Sequence, residues 1–265
     1  MSTKIYAGWE FGAASDSFGT IGPGSLVIEE DSPNVSDTFA LSSSKYSHVD
    51  ISSVESDYQV FPTVLATLLN ASGTLNNTYS VSFSTTTGRY TISRSTGSAS
   101  FRVTGATTAN MQNILGIAST PTSYGTSVTG DNRAYYAILI DEDARADDVE
   151  DYQESGTSEV FEADDGTRAT RQRTSLSTRK EFSINWQPKA AVLTREAAST
   201  EPWTWERFFK HVKVKEPFVL VDSLEANGLV MRLRPDGDAF QPQRVQADWT
   251  EYFSMRFSVF VEGRL

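Results

Sequence analysis

A strict alternation of apolar and polar residues near the end of the chain constrains the fold more than any other feature. In the stretch YFSMRFSVFVEG, which begins at Tyr252, the apolar positions of one face are Phe253, Met255, Phe257, Val259 and Val261. A period of two is typical of a β-strand that packs one face against a core. Phe260 falls on the opposite face, so we expect one end of this strand to be covered on both sides.

The residues before this strand predict a helix and three further strands. The stretch RKEFSINW alternates in the same way through Phe182, Ile184 and Trp186. The stretches PFVLVDS and GLVMRLRPDGD each predict a strand that ends in a turn. Aromatic residues at helical spacing predict a short helix over 203–212 with one face on the sheet. We therefore expect 131–265 to form a β-sandwich-like domain with one helix packed on it.

The first half of the chain has a different composition. Residues 1–130 are rich in Ser, Thr and Gly, which favours strands and turns over helices. Within them, 61–117 predicts a small helix-hairpin-helix module. Its helices are expected over 63–70 and over 107–116, the second with a threonine cap. The chain as a whole is thus expected to be mainly β with short helices, in two β-rich regions that meet near residue 130.

The hairpin of that module is predicted in some detail. TYSVSF, STTTG and RYTIS follow one another as strand, turn and strand. Tyr79, Val81 and Phe83 alternate on one side of the first strand and are matched by Tyr90 and Ile92 on the second. FRVTG then predicts a third strand.

Charge and composition exclude several functional classes. The net charge of −11 at pH 7 argues against nucleic acid as a partner, because such binding requires a basic surface. The chain has no cysteine, which excludes a disulfide framework and thiol catalysis and permits assembly in a reducing cytoplasm. We find no apolar run long enough for a signal peptide or a membrane span.

The segment 141–180 separates its charges in an unusual way. Twelve acidic residues fall in Asp141–Asp165 with only Arg145 to offset them, and five cations with no acid follow in Thr167–Lys180. The ADDGT stretch between EVFE and RATRQR predicts a hairpin turn. The segment can be interpreted as a solvated loop or as an arm that pairs with the opposite charge of a neighbouring copy. Calcium binding is a third interpretation, through oxygens of Asp141, Asp143, Asp147 and Asp148, although the residue order of an EF-hand is missing.

No catalytic constellation is readable from the sequence. The only histidines are His48 and His211, and the second is expected at a helix C-terminus, where a cation is favoured. A nucleophile elbow and a phosphate-binding loop are both missing, and no acids are placed to converge as a glycosidase pair. Four aromatic residues could form a sugar-stacking platform, but their spacing favours a core role: Trp203, Trp205, Phe208 and Phe209. We therefore predict no catalytic, cofactor-binding or metal-binding residues.

The C-terminal third resembles the distal-tail and related baseplate-proximal proteins of tailed bacteriophages. The resemblance rests on the order RKEFSINW, WTWERFFKHV, EPFVLVDSLEANGLVMRLR and EYFSMRFSVFVEG. The module over 61–117 is similar to a small module found in several virion structural proteins, although LGI stands where an aromatic residue often follows LG. Neither resemblance carries catalytic residues to transfer.

The resemblance implies a structural role in a virion tail tip or baseplate. It implies a ring of copies of the chain, in contact with tail-tube and baseplate or hub proteins and made in the host cytoplasm. Alternating strands would offer sheet edges for such symmetric association. The alternatives are a neck, collar or capsid-decoration protein, or a module that binds a host surface receptor or glycan. A depolymerase would require a cleft with converging carboxylates.

Overall fold

The computed structural model describes residues 4–11, 20–21, 24–32, 34–139, 158–162, 168–172, 178–186, 216–221, 228–233, 243–246 and 252–265. The elements of the first half are β1 (Lys4–Ala7), β2 (Trp9–Phe11), β3 (Thr20–Ile21), β4 (Ser25–Asp31), β5 (Asn34–Ala40), β6 (Ser44–Ser47), β7 (Tyr58–Val60), α1 (Phe61–Asn70), β8 (Thr78–Ser84), β9 (Arg89–Thr96), β10 (Phe101–Val103), α2 (Ala109–Leu115) and β11 (Ser127–Thr129). Those of the second half are β12 (Ala137–Leu139), β13 (Ser158–Glu162), β14 (Arg168–Gln172), β15 (Thr178–Trp186), β16 (Phe218–Val221), β17 (Leu229–Leu233), β18 (Gln243–Gln246) and β19 (Tyr252–Arg264). The prediction of a mainly β chain with short helices is confirmed.

The largest sheet is antiparallel and has seven strands. Its order is β12-β1-β16-β17-β19-β15, and β18 pairs with the beginning of β19. The register of β15 and β19 sets Phe182 opposite Phe257 and Ile184 opposite Met255, so the alternating positions of the two strands coincide. Strand β1 comes from the start of the chain and lies between β12 and β16. The division near residue 130 stays a prediction, and this sheet draws strands from both sides of it.

Smaller sheets complete the described part of the chain. They have the orders β10-β4-β5, β11-β9-β8 and β3-β2-β6-β7, and β13 and β14 form a two-stranded hairpin. The predicted hairpin of β8 and β9 is confirmed, with Val81 opposite Ile92 and Phe83 opposite Tyr90. The pairs β2–β3 and β6–β7 are parallel.

Two of the predicted helices are present, with slightly different ends. Helix α1 has Pro62 in its first turn, where the missing N–H has no helical partner to lose. Helix α2 ends at Leu115, and the next residue, Gly116, adopts the left-handed conformation (φ 71°) that favours glycine. Thr108 occupies the N-cap position of α2, as predicted, but its hydroxyl accepts a hydrogen bond from the backbone N–H of Ser25 at 3.0 Å and makes no capping bond to the helix. The helix expected over 203–212 lies outside the described residues.

One hydrophobic core joins these sheets. It runs from Ile5 in β1 to Met231 in β17 and includes the buried faces of both helices. Its largest fully buried side chains are all aromatic: Trp9, Tyr6, Tyr46, Tyr79, Tyr90, Phe11, Phe61, Phe101 and Phe218. Within the described ranges, the helices are all too short or too polar to span a membrane.

Candidate functional site

His48 is the only histidine in the described residues, and it lies inside the aromatic core. Its ring stacks on Phe83, with 4.6 Å between ring centroids, and lies at the same distance from the Trp9 ring. The Nε2 atom lies 2.6 Å from the carbonyl oxygen of Tyr135, so Nε2 carries the hydrogen and donates it. The Nδ1 atom then accepts a hydrogen bond from the hydroxyl of Tyr90 at 2.5 Å.

This environment keeps the His48 ring neutral. Burial lowers its pKa to about 3, and the hydrogen bond to the Tyr135 carbonyl opposes that shift only in part. Both ring nitrogens are engaged, and the partners are a tyrosine hydroxyl and a carbonyl. A hydrolytic triad requires a serine and a carboxylate in those places. The geometry fits a hydrogen-bonded core residue.

Glu30 is a fully buried carboxylate at the edge of the same core. Its Oε1 accepts hydrogen bonds from the backbone N–H of Asn77 at 2.9 Å and from the Tyr79 hydroxyl at 2.7 Å. Its Oε2 accepts hydrogen bonds from the backbone N–H of Asn76 at 2.8 Å and from that residue's side-chain amide at 3.2 Å. Burial alone would raise the pKa of Glu30, but these donors outweigh it and hold the pKa below its usual value. The carboxylate therefore fixes the chain that leads from α1 into β8.

A third polar cluster joins residues that are far apart in the sequence. Arg232 in β17 donates from Nε to both carboxylate oxygens of Glu262 in β19, each at 2.9 Å, and from a terminal nitrogen to Glu55. Glu55 lies between β6 and β7, so the cluster fastens that sheet to the seven-stranded sheet. Gly263 allows β19 to lie close to the segment that carries Glu55, because a Cβ at its position would lie 2.5 Å from a methyl group of Val54.

One guanidinium in this cluster serves two carboxylates. Burial, and then the hydrogen bond with Glu55, raise the pKa of Glu262 to about 7. The carboxyl groups of Glu55 and Glu262 can therefore share one proton near neutral pH. A glycosidase needs two carboxyl groups on opposite sides of a substrate. Here they are bonded to each other and to Arg232, which leaves no room for a substrate between them.

Glutamine in place of Glu262 should change how stability depends on pH. The raised pKa means that the folded chain holds a proton that the unfolded chain releases at a lower pH. This carboxyl therefore stabilises the fold most at about pH 4.5 and below, and the benefit is lost as the pH rises through about 7. Glu262→Gln should gain thermal stability relative to the wild type as the pH rises from about 5 to about 8. A pH-independent difference between their melting temperatures would contradict this, and Asp57→Asn, at an exposed carboxylate, provides the control.

The charged segment contains an ordered hairpin. The register of β13 and β14 sets Glu159 opposite Arg171 and Glu162 opposite Arg168. The strands on either side of the predicted turn therefore pair as β13 and β14, while the turn residues ADDGT themselves lie outside the described residues. The register thus sets acidic positions opposite basic positions within one chain. Pairing between copies stays a prediction.

Several candidates from the sequence lie outside the described residues: Asp141, Asp143, Asp147, Asp148, Trp203, Trp205, Phe208, Phe209, His211 and Arg173. The interpretations of calcium binding and sugar stacking that rest on them stay untested. In the described part of the chain, no group of three or more histidine, aspartate or glutamate side chains is placed to hold a metal ion.

Sequence reasoning missed the Glu30 and Arg232 clusters. A signal for Glu30 existed, since Leu26, Ile28 and Glu30 alternate on one face of β4 and the first two are buried apolar residues. The Arg232 cluster gave no local signal, because its members come from three separate parts of the chain.

Comparison with protein-family models, with curated proteins and with solved structures finds no match.

Proposed function

We propose that this chain is a structural component of a tailed-bacteriophage virion, at the tail tip or baseplate, that assembles with copies of itself and with neighbouring tail proteins. The hairpin of β13 and β14 carries the proposal. It pairs with no other described strand, and an isolated two-stranded hairpin is only marginally stable in water. A neighbouring surface in an assembly would provide packing for such a hairpin.

The C-terminal strands support the same proposal. Three of the four segments on which the resemblance to distal-tail proteins rests become β15, β16, β17 and β19 of one antiparallel sheet, and the fourth, WTWERFFKHV, lies outside the described residues. We propose a scaffolding role without catalysis, since both ring nitrogens of His48 are engaged and the Glu55–Glu262 pair is closed by Arg232. The first test is the mass of the purified protein in solution, alone and with its neighbouring gene products.

Charge reversal on the arm should impair assembly. Arg168, Arg171 and Arg173 changed together to Glu should leave the chain folded but reduce the fraction that assembles, as measured by light scattering. Exposed ion pairs are each worth only about 0–1 kcal/mol, so the effect must come from many copies in a closed assembly. Wild-type assemblies should also loosen at high salt, because the Debye length of roughly 8 Å at physiological ionic strength shortens further.

A second variant separates pairing within the hairpin from pairing between copies. Arg168→Glu and Arg171→Glu combined with Glu159→Arg and Glu162→Arg keeps opposite charges across the hairpin but inverts what each strand presents to a neighbour. If charges act only inside the hairpin, this fourfold variant should assemble like the wild type. Normal assembly of the triple arginine variant would contradict charge pairing between copies of the chain.

A further inference from the structure

An open groove runs between helix α1 and strand β8. Its volume is about 680 Å³, within the roughly 300–1,000 Å³ range of ligand sites. Its walls are formed by uncharged residues, most of them small: Pro62, Thr63, Ala66, Thr67, Asn70, Ala71, Tyr79, Ser80 and Val81. Strand β8 is at the edge of its sheet and pairs only with β9 among the described strands.

The hydrogen-bond pattern of the sheet fixes which backbone groups of β8 face its open edge. In β9, Arg94 donates its N–H to Thr126 and Tyr90 accepts at its carbonyl from Gly130, so these residues bond towards β11. Alternate residues of an antiparallel strand bond to opposite neighbours. Residues 89, 91 and 93 therefore bond to β8, through its residues 84, 82 and 80. The N–H and C=O groups of residues 79, 81 and 83 point away from β9, to the edge.

The first of these edge positions, Tyr79, already has a hydrogen-bond partner within the protein. The Asn70 side chain accepts from the N–H of Tyr79 at 2.7 Å and donates to its carbonyl at 2.9 Å, as a neighbouring strand would. At Val81 and Phe83 no described residue makes the equivalent bonds. The open part of the edge thus continues a line of strand-like hydrogen bonds that Asn70 begins.

We infer that this groove binds an extended, uncharged peptide strand of a partner protein, which adds to the edge of β8. Backbone bonds to Val81 and Phe83 would supply affinity, and the small side chains of α1 would admit the occupant's side chains. The charge of the occupant follows from the walls. All the lining residues are uncharged, so a charged side chain of the occupant would find no partner of opposite charge among them. This inference does not depend on the virion role.

Proline at position 81 tests the backbone bonds directly. Because the N–H of Val81 faces the open edge, Val81→Pro removes a bond to the occupant without removing one from the β8–β9 ladder, and edge strands accept proline in this position. Val81→Ala is the matched control, since it shortens the side chain and keeps the N–H. Thr67→Trp, with Thr67→Ala as its control, fills the groove from the helix side. Circular dichroism and melting show whether each variant is folded.

The probe is a library of random octapeptides, selected on the purified full-length protein. Uncharged peptides should be enriched, and binding should slow amide exchange at Val81 and Phe83 at least about tenfold. Val81→Pro and Thr67→Trp should each weaken the binding of the enriched peptides at least about tenfold. The two control variants should bind them within about threefold of the wild type. The inference is overturned if no peptide is enriched, or if the enriched peptides are charged or bind Val81→Pro normally. It is also overturned if both amides are protected without peptide, as a second copy in the groove would cause.

Discussion

Glutamine in place of Glu30 is expected to lower the free energy of unfolding by about 3 kcal/mol. The carboxylate is fully buried and accepts four hydrogen bonds, from two backbone amides, a side-chain amide and a tyrosine hydroxyl. Glutamine has almost the same shape, but its NH₂ group would face two of those donors and could accept from neither. The unpaired donors would be buried, which is why the cost exceeds that of an ordinary lost hydrogen bond. Urea unfolding followed by tryptophan fluorescence measures it.

Glu29→Gln is the matched control for this substitution. Glu29 is the adjacent residue of β4, and its side chain pairs with Arg102 at 3.0 Å on the partly exposed face. Since a partly exposed pair of this kind is worth about 1 kcal/mol or less, this variant should lose much less stability. Equal losses in the two variants would show that the buried network around Glu30 has no special role.

Local patterns of the sequence predicted the type of several elements, among them α1, α2, β8, β9, β15 and β19. The alternation of Tyr79, Val81 and Phe83, followed by a turn-forming stretch, predicts both strands of the β8–β9 hairpin. Hairpins and short helices are specified by neighbouring residues, through side-chain period and turn chemistry, so one sequence suffices to find them.

The partners of distant elements could not be predicted in this way. Nothing in the stretch KIYA indicates that β1 inserts between β12 and β16. The neighbours of β1 depend on how the rest of the core packs and on which strand edges that packing leaves unpaired. The hydroxyl of Thr108 illustrates the same limit at one atom. A cap on α2 was the local expectation, but the backbone of Ser25 competes for that oxygen and binds it. The polar clusters around Glu30 and Arg232 arise only when such long-range choices are made.

Phenylalanine in place of His48 is expected to destabilise the fold by about 2–3 kcal/mol near pH 8, and by much less in acid. Phenylalanine keeps a ring against Phe83 and Trp9, but the Tyr90 hydroxyl and the Tyr135 carbonyl lose their buried partner. The difference in stability between the two proteins changes with pH because only the wild type has the titrating side chain of His48. Its folded pKa of about 3 lies below the ordinary value of 6.5, so below about pH 6.5 the unfolded chain binds a proton that the folded chain does not.

The wild type should therefore lose about tenfold in its folding equilibrium for each pH unit below about 6.5, and the gap to His48→Phe should close near pH 5. The comparison between the two proteins is needed because Glu262 contributes the opposite slope, and it contributes equally to both. Tyr90→Phe serves as the control, since it removes one hydrogen bond but keeps the buried imidazole, so its acid sensitivity should match that of the wild type. Unfolding midpoints measured from about pH 8 to about pH 4.5 test this. A gap that stays constant over that range would mean that the protonation of another group sets the acid sensitivity of this core.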